Sequence, residues 1–117
     1  MYDFTHSDNV KSVNLVSTSE CCLENSDWQQ LNEALGALNS VSPISTVVVA
    51  NNVDVITTKD GRTFTITMTA SNPPAFTVDT GGSSFSQGEF NALQVVGKAI
   101  LALLLTEQMT SLTVTYN

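Results

Sequence analysis

Between Ser84 and Leu105 the pattern of polar and apolar positions changes within a single helix-like stretch. Ser86 and Glu89 have the spacing of a capping box, in which the Ser hydroxyl and the Glu carboxylate each take up a free backbone N–H. Asn91, Gln94 and Lys98 then mark a polar stripe at helical spacing. One turn later the stripe should continue at Leu101 or Ala102 and at Leu105, and there it has become apolar. A helix that is apolar on all sides needs cover on all sides, and a chain of 117 residues has little protein with which to supply it. The pattern predicts burial against a second subunit. The competing expectation is a central core helix in a compact monomer.

The rest of the chain reads as strands with one further helix. Asn9 to Thr18 carries Val10, Val13, Leu15 and Val16 among polar residues, an imperfect strand alternation. Ser26-Asp27-Trp28-Gln29 has the look of a second capping box, and Trp28, Leu31, Leu35 and Leu38 fall at helical spacing, predicting a helix over about 27–38. Pro43 lies in a connection, and Ser45 to Ala50 is β-branched and predicts a strand. Asn51-Asn52 is either a tight turn or part of one strand reaching Thr58. Asp60-Gly61, between Lys59 and Arg62, is a two-residue hairpin signal, because both residues tolerate positive φ. Thr63 to Thr69 alternates cleanly, with Phe64, Ile66 and Met68 on one side and Thr63, Thr65, Thr67 and Thr69 on the other. That is the signature of a sheet with one packed and one open polar face. Asn72-Pro73-Pro74 predicts a loop, Ala75 to Asp79 a short strand, Gly81-Gly82 a turn, and Thr110 to Tyr116 a closing strand or extended tail. The expected architecture is one α+β domain over 1–117, an antiparallel sheet with its helices on one face.

Composition narrows the function classes. Charged residues are 13% of the chain, well below the usual quarter, and Ser, Thr and Asn take their place. The net charge of −7 comes from having only 4 Lys and Arg against 11 acids. Four bases leave no electrostatic footprint for tight binding of nucleic acid by one copy. The start of the chain does not read as a signal peptide, and the apolar run at 99–105 is too short to span a bilayer. The expectation is a soluble protein made in a cytoplasm, with no membrane partner. Cys21 and Cys22 are adjacent and read as free thiols, or as intersubunit cross-links after release into an oxidising medium.

Candidate chemistry is sparse. Asp79-Thr80-Gly81 follows the apolar strand Phe76-Thr77-Val78 and resembles the aspartic-protease signature over about five residues. That chemistry needs two such carboxylates sharing a proton, which a dimer would supply by symmetry. The competing expectation is a strand end with a Gly turn ahead of a helix cap. His6 is a lone histidine. No metal site, cofactor or small-molecule substrate is expected, and no catalytic activity.

The order of parts resembles the coat proteins of single-stranded RNA bacteriophages, the levivirus-like family. Asp60 to Thr69, ending in Asn72-Pro73, looks like the hairpin and alternating strand of that family's sheet. Phe76 to Leu105, a strand leading through a Ser-rich turn into a helix with Phe90, Leu93 and the run Ala99 to Leu105, looks like its strand-to-helix passage. The family's inward strand positions often carry Lys or Arg, where this chain has threonine. The resemblance implies an interlocked homodimer that assembles into a shell around RNA, found in the virion after synthesis in the host cytoplasm. It implies a subunit interface at Phe64, Ile66, Met68, Phe90, Leu93, Ile100, Leu101, Leu104 and Leu105. It also implies an RNA-facing sheet bearing Lys59, Arg62, Thr63, Thr65, Thr67 and Thr69. A small acidic dimeric adaptor of a phage or bacterium, aimed at a basic partner, is the alternative.

Overall fold

The computed structural model describes residues 9–16, 25–69 and 71–117, with only the backbone of Asn25 described. The strands are β1 (Val10–Val16), β2 (Ile44–Ala50), β3 (Val53–Thr58), β4 (Thr63–Thr69), β5 (Ala75–Asp79) and β6 (Ser111–Tyr116). The helices are α1 (Asn25–Val41) and α2 (Gln87–Leu105). All strand pairs are antiparallel, in the order β1-β6-β2-β3-β4-β5. The fold is α+β, with an antiparallel sheet, one open face and α2 near the C-terminus, as the alternation predicts. The last strand is no tail: β6 lies inside the sheet, hydrogen-bonded to β1 on one side and β2 on the other.

Local chemistry accounts for the turns. Asn51 and Asn52 both take left-handed φ, 53° and 63°, and Ala50 pairs directly with Val53. This is a two-residue hairpin loop, a conformation asparagine tolerates. The Asp60-Gly61 loop is longer than the two residues expected. Gly61 alone is left-handed, with φ of 89°; its N–H donates to the Thr58 carbonyl and the Thr58 N–H to the Arg62 carbonyl. That is a tight turn closed by a glycine bulge. The capping box of α2 is formed: Ser86 accepts from the Glu89 N–H, and the Glu89 carboxylate accepts from the Ser86 N–H at 2.8 Å. Helix α1 starts two residues earlier than its apolar spacing indicates, so Ser26 lies inside it and its cap lies outside the described residues. His6, Cys21 and Cys22, and the strand positions Ser17 and Thr18, also lie outside them.

The two helices run antiparallel over one sheet face. The start of α1 meets the end of α2 through Gln108 Nε2 donating to Asp27 Oδ2 at 2.9 Å, and the other ends meet where Ser42 donates to Glu89. Trp28, Leu31, Leu35 and Leu38 of α1 are wholly buried with Leu93, Val96, Ile100 and Leu103 of α2 and Phe64 and Ile66 of β4. A monomer therefore supplies more cover for α2 than the chain length suggests, because α1 lies alongside it. By length and composition alone α2 could cross a membrane; here its inner side is core.

This packing corrects part of the expected interface. Phe64, Ile66, Met68, Leu93 and Ile100 are at most 5% exposed within a single chain, so in this fold they are that chain's own core. Phe90, Leu101 and Leu104 are half-buried, and Leu105 is exposed.

Candidate functional site

Among the described residues, no helix or strand covers the sheet face opposite α1 and α2, and its side chains are exposed or half-exposed. Successive side chains on a strand alternate sides, and the register aligns them into rows across neighbours. One unbroken row crosses all six strands: Asn14, Thr113, Val48, Val55, Thr65 and Asp79. A second runs Ser12, Thr115, Thr46, Thr57 and Thr63. Thr67 sits between Val53 and Thr77, and Thr69 faces Ala75. Hydroxyls spaced by strand separation and residue repeat make a lattice of about 5 Å by 7 Å.

Of the residues expected on that face, Thr63, Thr65, Thr67 and Thr69 are there. Arg62 is not. Its guanidinium turns to the core side, lying 5.5 Å from the centre of the Phe64 ring. It binds Glu89 Oε2 at 2.5 Å, the Ser84 carbonyl at 3.0 Å and Asp60 Oδ2 at 2.9 Å. Arg62 leaves the open face because Glu89, fixed by its capping role, offers a carboxylate at the edge of the core. Lys59 is exposed at the hairpin end and donates to the Asn117 carbonyl. Neither base sits in the threonine rows, and Asp79 is the one ionisable group in the two longest rows.

The Arg62 cluster is an electrostatic joint between the β3–β4 hairpin, the end of α1 and the start of α2. Burial alone would raise the Glu89 carboxyl, but hydrogen bonds from Ser42, the Ser86 N–H and Arg62 outweigh it and hold the group at about 2. The Asp60 carboxyl is held at about 2 as well, by hydrogen bonds from Arg62 and Thr58. Every donor here is matched to an acceptor, which suits a fastening more than a reactive centre.

Asp79 ends β5 on the open face opposite Thr65, and its Oδ1 accepts the Gly81 N–H at 2.8 Å. Gly81 and Gly82 both have positive φ, 63° and 77°. This is the geometry of an Asp-initiated turn leading to a helix cap. Among the described residues no group of three or more His, Cys, Asp or Glu is placed to hold a metal ion.

Sequence reasoning passed over Asp54. It lies on the core face of β3, with neither carboxylate oxygen hydrogen-bonded, in a row that reads Leu15, Leu112, Val49, Asp54, Ile66, Val78. Burial pushes its carboxyl up to about 8. The signal was available: an acid at an inward position of the apolar stretch Val53-Asp54-Val55-Ile56.

The chain matches no protein-family model, and comparison with curated proteins and with solved structures finds no match either.

Proposed function

We propose that this chain is a structural protein of the RNA-phage coat type, which assembles from homodimers into a shell around RNA and performs no catalysis. The observation that carries the reading is the uncovered six-strand face with its rows of Thr, Ser and Asn, opposite a face sealed by both helices. Such a two-sided layer has one side to turn to an enclosed polymer and one for the outside. Hydroxyl and amide groups can bond to phosphate and ribose oxygens without ion pairs, fixing position but not sequence. In this reading Thr63, Thr65, Thr67 and Thr69 face the RNA, and Phe90, Leu101, Leu104 and Leu105 remain available to other subunits. RNA affinity arises from many copies, with a shallow salt dependence because few counterions are released.

The test is light scattering on the size-exclusion peak of the expressed protein, with electron microscopy of the same fractions. Megadalton particles containing RNA are expected; a discrete small oligomer without nucleic acid would refute the shell. That second outcome would favour the acidic adaptor. The observation on its side is the net charge of −7 together with an open face whose rows hold no lysine or arginine.

A further inference from the structure

The side of α2 turned away from the sheet carries Gly88, Asn91, Val95, Lys98, Ala102 and Leu105, spaced alternately three and four residues apart. This is the spacing of a seam between paired helices. All six are exposed or half-exposed, Val95 by 45% and Leu105 by 48%. The seam is also self-complementary when reversed about its centre between Val95 and Lys98. Gly88 then mirrors Leu105, Asn91 mirrors Ala102, and Val95 mirrors Lys98. The largest apolar side chain meets the position with none.

The surroundings match. A groove of about 650 Å³ runs between α1 and α2, with Ala34, Ala37, Val41, Gly88, Ala92 and Val95 among its lining. A leucine arriving opposite Gly88 enters this groove beside Val41, itself 53% exposed. A lysine arriving opposite Val95 meets Glu33, which lines the same groove, and no lysine or arginine lines it. Size and charge therefore both fit the same occupant, a second α2.

We propose that α2 pairs with α2 of a second copy of this chain, antiparallel about a two-fold axis between Val95 and Lys98. The inference rests on the self-assembly reading and names the surface that begins it. The contact is isologous: each copy's Leu105 enters the other's groove and each Lys98 approaches the other's Glu33, so the pair closes on itself. Such a pair leaves the open sheet faces free.

Sedimentation equilibrium on the whole chain tests this. Gly88→Leu places leucine against leucine at the seam. Within one chain the added Cβ meets only Ser86 Oγ, at 3.8 Å, and leucine is the better helix former, so the thermal midpoint at monomeric concentrations should hold or rise. The dimer dissociation constant should increase by about 100-fold or more. Adding Leu105→Ala should restore it to within about tenfold of the parent. Lys98→Glu should weaken the dimer, and Glu33→Lys in the same chain should recover it. Self-association that is indifferent to Gly88→Leu would overturn this pairing and leave the shell reading standing. A chain that is monomeric at every concentration would overturn both. A dimer that obeys these variants and forms no particles would uphold the pairing and refute the shell.

Discussion

Asp54 should make the stability of this fold fall steeply with rising pH. Its side chain is 0% exposed, has no hydrogen-bond partner on either oxygen, and lies between Val49 and Ile66 on the neighbouring strands. An ionised carboxylate there would be buried without a counter-charge, so the folded chain holds the acid form, with its carboxyl raised from 3.8 to about 8. The unfolded chain releases that proton near pH 3.8. The native state therefore binds one more proton than the unfolded state between these two values, and stability declines as pH rises through that window. Below pH 3.8 the contribution is fully present; above about 8 it is gone. The slope is about 1.4 kcal/mol per pH unit, so the interval from pH 4 to pH 7 removes about 4 kcal/mol. That is a large part of the roughly 5–15 kcal/mol that holds a domain together. Glu89 and Asp60 titrate near 2 in the folded chain and near 4.5 and 3.8 in the unfolded chain, so they oppose Asp54 only at the acid end of this window and are constant above it; Tyr116, pushed up to about 12, does not titrate in it. Urea unfolding followed by the fluorescence of the buried Trp28 at about pH 5 and about pH 8 measures the effect. Asp54→Asn keeps the shape and removes the titration, so its stability should be nearly flat between these two pH values. Asp54→Val should be more stable than the parent at about pH 8, by several kcal/mol. Equal pH slopes in the parent and Asp54→Asn would refute the reasoning.

Three further substitutions probe the joints of the fold. Gly97→Ala would put a Cβ 2.6 Å from the Phe76 ring, forcing α2 and β5 apart, and should lower stability by about 1–3 kcal/mol in the same urea assay. Arg62→Met leaves the Glu89 carboxylate without its cation at the edge of the core and should cost about 2–4 kcal/mol; a loss close to zero would mean that the cluster is a surface ion pair. Asn52→Gly relieves a left-handed φ of 63° in a two-residue hairpin loop and should raise stability by about 0.5–1 kcal/mol, read as a higher urea midpoint.

Much of this fold is legible in the residue pattern because the deciding interactions are local. The threonine alternation of β4 fixes two faces, since adjacent side chains on a strand point to opposite sides. Ser86 and Glu89 fix the start of α2 because the cap bonds are made within four residues. The Asn51-Asn52 turn and the α1 stripe of Trp28, Leu31, Leu35 and Leu38 follow from backbone and helical geometry in the same way. The open face and its threonines could be foreseen on those grounds, and the outer seam of α2 has its spacing written in the sequence.

Tertiary structure decided what depends on partners distant in the chain. That β6 enters between β1 and β2 is a matter of which edges meet, and a strand's own alternation does not name its neighbours. Arg62 follows an open-face signal in sequence yet turns inward, because Glu89, 27 residues further on, supplies the better counter-charge. Phe64, Ile66 and Ile100 have the same apolar character whether they meet a partner or their own chain; α1, folding back antiparallel to α2, assigns them to the chain's own core. Asp54 is an acid among β-branched residues until the register sets Val49 and Ile66 beside it. Local periodicity determines faces and ends; packing determines which faces meet, and with that the charge state of Asp54, sealed between them.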